Sequence, residues 1–246
     1  MPTRPYGWKP DRPDHRDHLF ARAYRSPIPL PKAVKPLTQS IPAQDQGDLG
    51  SCTGHGCGRL WAHRVQQETG KLIMPSRLFI YYNERVIEGT IPEDAGAEVR
   101  SGLKVLAKLG APPEPLWPYL VTKYAKKPPA KAYTAAKKGL ALAYASVPVD
   151  KAAIESTLAA GNPIVFGFTV FKSFESGAVA KSGNMPMPGK KEKPVGGHCV
   201  VADGYDSHGM WCANSWGPDW GKNGWFHMPW ANLPNCSDLW VLTDVK

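Results

Sequence analysis

Cysteine is scarce in this 246-residue chain, with five residues at positions 52, 57, 199, 212 and 236. The number is odd and no Cys-x-x-Cys pair occurs, which argues against a disulfide scaffold and a four-sulfur zinc site. Most are read as small buried hydrophobes of a reduced, intracellular protein. A Cys199–Cys212 bridge stays open for the case in which their strands pair. Long apolar runs are also missing: nothing approaches the roughly 20 residues of a membrane-spanning helix. The start, Met1-Pro2-Thr3-Arg4-Pro5, lacks the apolar stretch of a secretory signal. Export by the usual route is not expected, and signal-less secretion stays open. There is no internal repeat and no aromatic-basic motif of an RNA-binding module. Acidic residues are outnumbered, 21 against 30 Lys and Arg, for a net charge of +9. The basic residues are dispersed apart from clusters at 123–131 and 190–193. A solvated basic surface explains them, with an anionic partner such as nucleic acid, cell wall or an acidic substrate as the rival reading.

What is present supports a packed core: 42% hydrophobic residues with nine Trp, nine Tyr and seven Phe. Residues 1–37 stand apart as a proline-rich, charged arm in which regular helix or sheet is unfavourable. Its Tyr6, Trp8, Leu19 and Phe20 point to wrapping over the domain, with a short pro-segment as the alternative. The front half of the remainder reads helical. One helix runs from Cys52 to Glu68 with Ser51 as cap and Gly70 as stop. A second opens at Pro75-Ser76 and reaches Val86 and Ile87, with Leu78, Phe79, Tyr82 and Val86 on one face. A third spans Ala97–Leu109, and a short basic one Lys131–Lys138. Asp150 caps another that ends near Ala160. Strands follow at Pro163–Val170, His198–Tyr205, Met210–Asn214, Trp225–Met228 and Leu239–Val245, with a turn at Asp206–Gly209. The stretch 177–197 reads as a long loop. A cleft between a helical front and a strand-rich back would suit an extended ligand.

The chemistry centres on Cys52. A thiol is a poor nucleophile until an imidazole takes its proton and a third group holds that imidazole. Placed at the first turn of a helix, Cys52 would also feel the positive end of the helix dipole. An activated thiolate predicts that iodoacetamide labels this cysteine ahead of the other four. His198 is the candidate base, Asn214 the group orienting it, and Gln46 a donor to a developing oxyanion beside the Cys52 amide. Trp216 could shield the imidazole or simply pack in the core. His55 lies close in sequence and is the weaker candidate base. Gly54, Gly56 and Gly58 disfavour helix and suggest close approach of another backbone or a substrate. Gly167 suggests a roomy pocket.

Three segments carry a family resemblance: Gln46-Gly47 with Gly50-Ser51-Cys52, Gly197-His198 at the head of an apolar strand, and Asn214-Ser215-Trp216-Gly217 followed by Trp220-Gly221 and Gly224-Trp225-Phe226. His198 and Asn214 follow Cys52 at the spacing of papain-like cysteine proteases. Over roughly residues 38–245 the chain resembles that family. The resemblance implies an α+β fold with a helical lobe (about 38–125), an antiparallel barrel-like sheet lobe (about 126–246) and an active cleft between them. It implies a thiol endopeptidase in which Cys52, His198, Asn214 and Gln46 are catalytic and Gly96, Gly197 and Trp216 contact substrate, without metal or cofactor. Leu49 stands where the family has a disulfide cysteine, Thr53 where it has an aromatic, and the long helical propeptide is replaced by the arm. This combination resembles bacterial or phage members. The expected protein is a cytoplasmic monomer acting on protein or peptide substrates, with no nucleic acid and no membrane as partner. A cell-wall peptide amidase or acyl transferase using the same thiol, and a non-catalytic binding module with the arm in its groove, are the alternatives.

Overall fold

The computed structural model describes residues 5–20, 29–139 and 141–245. Residues 1–4 and 21–28 of the arm lie outside them. Helices α1 (Cys52–Thr69), α2 (Arg77–Glu88) and α3 (Val99–Leu109) pack together in the first half. Helices α4 (Ala130–Ala136), α5 (Lys151–Ala159) and α6 (Gly177–Ser182) are shorter. Two short strands, β1 (Trp8–Lys9) and β2 (Ala97–Glu98), pair in parallel. The main sheet uses β3 (Ala141–Ser146), β4 (Ile164–Phe171), β5 (Pro194–Tyr205), β6 (Gly209–Ala213), β7 (Trp225–Pro229) and β8 (Cys236–Val245). Its spatial order is β3-β8-β4-β5-β6-β7, every neighbouring pair antiparallel. The order leaves β3 and β7 at opposite edges, so the sheet is open rather than a closed barrel.

Alternation along the strands explains how the sheet sits between two layers. Side chains on successive strand residues face opposite sides. On β4, Ile164, Phe166, Phe168 and Val170 join one core cluster, with Val200 and Ala202 of β5 and Ile154 and Leu158 of α5. Val165, Cys199 and Val201 join the other, with Cys52, Cys57, Leu60 and Trp61 of α1 and Leu103 and Leu106 of α3. Both faces are buried, which is why the strands read as almost continuous apolar runs. Helix α1 is therefore a central element: Cys52–His63 is buried throughout. Its glycines permit this. A Cβ on Gly54 would stand 2.9 Å from the Arg77 carbonyl oxygen, and one on Gly56 would stand 2.8 Å from a Val165 methyl.

Several expectations are corrected. Ser51 makes no capping hydrogen bond to α1, and its hydroxyl pairs with Tyr119 Oη at 2.6 Å instead. Ser76 and Asp150 do cap, accepting from the amides of Phe79 and Ala153. Val86 is 45% exposed, because the buried face of α2 is carried by the residues from Leu78 to Arg85. The third helix begins at Val99, since Ala97 and Glu98 are drawn into pairing with the arm. Strand β3 has no forecast counterpart, and the stretch 177–197 holds α6 and the start of β5. The five cysteines are all free and buried. Cys212 lies opposite Ala202 rather than Cys199. Cys199 and Cys212 sit in different core clusters, so no bridge can join them.

Candidate active site

Cys52 opens α1, and the loop before it is held from both sides. The Gly50 amide donates to the Asp94 carboxylate at 2.9 and 3.1 Å, and the Tyr81 hydroxyl donates to the same group. Arg85, fully buried, fixes the segment that carries Asp94 by donating to the carbonyls of Ile91 at 2.7 Å and Glu93 at 3.0 Å. These polar ties set the turn from which Cys52 projects. Sequence reasoning passed over Asp94, Tyr81 and Arg85 as positioning groups, since no motif marks them.

His198 comes from β5, across the sheet from Phe168 of β4. Its Nε2 lies 2.8 Å from Asn214 Oδ1. The same oxygen accepts the Ser215 amide at 2.8 Å, which fixes the orientation of the carboxamide. Nε2 must then be the protonated nitrogen, leaving Nδ1 as the basic one in the neutral ring. Nδ1 is buried and makes no hydrogen bond. Trp216 stacks on the imidazole with centroids 4.9 Å apart and planes at 27°. Gln46 is held by its own carbonyl end: the Ser215 hydroxyl donates to Oε1 at 2.6 Å. Its Nε2 donates to Leu49 O at 2.8 Å and to Pro5 O at 3.2 Å. The Tyr119 hydroxyl bonds the Gln46 backbone carbonyl at 2.8 Å. His55 does not compete as a base. Its Nδ1 is 3.0 Å from Ser51 O, its Nε2 is 3.3 Å from Arg77, and burial pushes its pKa down to about 3.

The arm runs through this site. The Tyr6 ring lies 6.0 Å from that of His198, and its hydroxyl donates to Glu175 at 2.6 Å. Gly7 lies against Gly50 and Gly96 so closely that a Cβ on Gly7 would be 1.7 Å from Gly50 O, and a Cβ on Gly96 would be 2.1 Å from Gly7 O. Gly96 has φ of +68°, a conformation that also favours glycine. The Ala97 amide donates to Gly7 O at 2.7 Å. Trp8 fills a recess between Gly167 and Gly197, its ring atoms 1.9 and 2.5 Å from where Cβ atoms at those positions would stand. Farther on, Arg100 donates to Arg12 O and to Asp17, both at 2.6 Å, and Phe20 is buried in the sheet core. Leu19, expected to wrap inward, is 63% exposed because its neighbour Phe20 takes the inward position.

Burial under the arm changes the chemistry expected of an exposed thiolate. Cys52 is 0% exposed, and desolvation pushes its thiol pKa up to about 12 against the opposing backbone N–H groups of Cys199, Gly7 and Thr53. Desolvation likewise pulls His198 down to about 4, with the Asn214 hydrogen bond opposing. Both groups are neutral with the arm docked, so loss of water outweighs the helix dipole. Glu84, buried below α1 and accepting from Thr53 Oγ1 at 2.7 Å, is raised to about 8 by the same cause and is protonated at neutral pH. In this state preferential labelling of Cys52 by iodoacetamide is not expected until the arm departs.

Asp11 is expected to make docking of the arm depend on pH. Its carboxylate accepts from Trp240 Nε1 at 2.8 Å and the Arg100 amide at 3.1 Å, and it faces Arg100 and Asp238. Desolvation first, then repulsion from Asp238, raise its pKa to about 7, with Arg100 and Trp240 opposing. The docked arm thus holds this proton more tightly than a free arm, whose Asp titrates near 4 as an order-of-magnitude reference. Docking is favoured fully below that reference and weakens as pH rises through about 7. The alkylation rate of Cys52 in wild type, divided by that of Asp11→Asn, is expected to climb between acid and mildly alkaline pH. A flat ratio contradicts the assignment.

Comparison with known proteins places this geometry. The profile of the papain family cysteine proteases matches residues 38–237. An uncharacterized peptidase C1-like protein of Acanthamoeba polyphaga mimivirus is 37% identical across 99% of this chain and 88% of its own length. The crystal structure of xylellain, a cysteine protease from Xylella fastidiosa, superposes with a TM-score of 0.90 at 34% identity, covering 100% of this chain and 99% of that one. A procathepsin B from Trypanosoma congolense shares the fold at 13% identity and a TM-score of 0.74, over 97% of this chain and 85% of its own. With most of its length matched by the family profile and its whole length by relatives above 30% identity, the chain belongs to the papain family of cysteine proteases.

Proposed function

We propose that Cys52 attacks the carbonyl of a peptide bond, that His198 Nδ1 takes the thiol proton and returns it to the leaving amine, and that Asn214 holds His198 in the required tautomer. Gln46 Nε2 and the Cys52 amide stabilise the oxyanion, and water then hydrolyses the thioester. The observation carrying this reading is the Asn214–His198 pair at 2.8 Å, which leaves Nδ1 as the one ring nitrogen able to receive a proton. Gly96 and Gly197 border the path of an extended backbone, as their contact with the arm indicates, and Trp216 covers the imidazole.

Residues 5–17 act in this scheme as a built-in inhibitor. They put a carbonyl, Pro5 O, on the Gln46 amide meant for the oxyanion, and they remove water from Cys52. The substrate is an extended protein segment, and the enzyme works as a monomer. Five free, buried thiols suit a reducing compartment such as bacterial cytoplasm. Among the described residues no helix is long and apolar enough to cross a membrane. The test is an assay of casein and a mixed peptide library beside turbidity loss of cell walls, with quenched reactions searched for an acyl group on Cys52. Peptide cleavage with a thioester at Cys52 is expected. Loss of turbidity without peptide cleavage would replace this reading with cell-wall amidase activity.

A further inference from the structure

Glu84 lies on α2 with its carboxyl buried beneath the first turn of α1. Its Oε2 accepts the hydroxyl of Thr53, the residue that directly follows Cys52, at 2.7 Å. Among the described residues Oε1 has no hydrogen-bond partner, and no Lys or Arg forms an ion pair with the group. Its neighbours offer no compensating charge. On α2, Arg85 is spent on the carbonyls of Ile91, Glu93 and Tyr124. Glu88 adds a second carboxylate, itself held by the Glu98 amide of β2 at 2.8 Å and by Lys9 at 3.7 Å. On α3, Gly102 leaves the room the carboxyl occupies: a Cβ there would stand 2.5 Å from both Glu84 Oε1 and Cys57 Sγ. The ionisable groups facing Glu84 from α1 and β5 are the thiols of Cys52, Cys57 and Cys199, and Asp11 of the arm faces the last two. His198 is different, since its shift comes from desolvation and Asn214. A charge at Glu84 therefore acts on one end of the thiol–imidazole pair, opposing the thiolate without an equal effect on the imidazolium.

Resting on the peptidase reading above, we propose that Glu84 is a positioning residue for the reaction, which permits the Cys52 thiolate while it is neutral and suppresses it, across Thr53, once it is ionised. Burial raises this carboxyl to about 8, with the Thr53 hydrogen bond opposing, so its charge appears only as pH rises through that value. Cleavage then weakens on the alkaline side for a reason that lies beneath the helix rather than in the cleft. A carboxyl kept for packing alone would leave the titration of the thiol untouched.

The experiment uses the full-length chain opened by Gly7→Ala, whose Cβ cannot coexist with Gly50 O, and carrying His198→Ala, so that the thiol titrates without its imidazole. Iodoacetamide kinetics at Cys52 is followed from neutral to alkaline pH. Glu84→Gln keeps an acceptor for Thr53 and matches the protonated carboxyl in shape. Adding it is expected to leave the rate near the parent's while Glu84 holds its proton, and to raise it roughly three- to tenfold once the parent's carboxyl has ionised. Thr53→Val keeps the side-chain volume and removes the hydrogen bond that favours the charged form, so the parent's step is expected at higher pH. A Glu84→Gln ratio flat across pH overturns the proposal, because a packing role moves every pH alike. A step that Thr53→Val leaves in place overturns the route through Thr53. With His198 restored, kcat/KM for peptides is expected to fall at higher pH in Glu84→Gln than in its Gly7→Ala parent, and superimposable profiles also overturn the proposal. If neither chain cleaves peptides while the alkylation step persists, the peptidase reading fails and the hold of Glu84 on the thiol stands.

Discussion

A full-length chain carrying Gly7→Ala is expected to label at Cys52 and to cleave peptides on the order of 10–100 times faster than wild type. The cause is local and steric. The added methyl would stand 1.7 Å from Gly50 O and 2.3 Å from Gly50 C, both backbone atoms of the loop that presents Cys52. That loop cannot retreat, because Asp94 holds the Gly50 amide and Ser51 is tied to Tyr119. The arm must move, and overpacking of this kind costs about 1–3 kcal/mol, which sets the range given. Displacing Gly7 also breaks the Ala97–Gly7 hydrogen bond and lifts Trp8 from its slot. Water then reaches Cys52 and His198, whose shifts both arise first from desolvation. The thiol pKa falls, the imidazole pKa rises, and the thiolate–imidazolium pair becomes accessible near neutral pH. Iodoacetamide kinetics with peptide mapping checks this directly. Unchanged labelling of Cys52 in a folded Gly7→Ala chain would show that the arm does not limit access.

Gln46→Ala in that opened background is expected to lower kcat by roughly 10²–10³ with little change in KM, the loss associated with one oxyanion donor. The amide is preorganised: Ser215 donates to its oxygen at 2.6 Å, so its nitrogen can only face outward to acceptors, Pro5 O among them. Because the side chain also supports Leu49 O, a fall in kcat could arise from a loosened loop. Alkylation of Cys52 separates the two causes, and Gln46→Glu is the less disruptive second variant. It retains the Ser215 contact and the side-chain volume but cannot donate while ionised. Both variants should lose turnover together while alkylation of Cys52 stays near the parent rate, since oxyanion stabilisation plays no part in thiolate alkylation. A kcat within about threefold of the parent would remove Gln46 from the oxyanion site.

Legibility differed by the range of the interaction. Helix α1, the Asp150 cap, the strand carrying His198 and the strand that ends just before Asn214 were readable because their signals are local: a cap, a glycine stop, a run of apolar residues. Strand β3 was not, since it contains alanine-rich sequence and owes its pairing to β8, about a hundred residues away. Ser51 shows the opposite error. A serine before a helix is a sound local signal, yet Tyr119, 68 residues on, captured its hydroxyl. The start of α3 shifted for a similar reason, as Ala97 and Glu98 pair with β1.

Amino-acid order alone sets the chemical vocabulary of this protein: a cysteine at a helix start, a histidine on a strand, an asparagine–serine–tryptophan run and a glutamine upstream. Residue types and spacing suffice for that, because the groups a thiol reaction needs are few and distinctive. The state those groups are in comes from long-range packing. Whether Cys52 is a thiolate depends on the water around it, and that depends on where Pro5, Tyr6, Gly7 and Trp8 lie. A proline-rich segment makes no regular pattern of its own, so its course through the cleft is written in the partners that receive it: Ala97, Asp238, Arg100 and the glycines at 50, 96, 167 and 197.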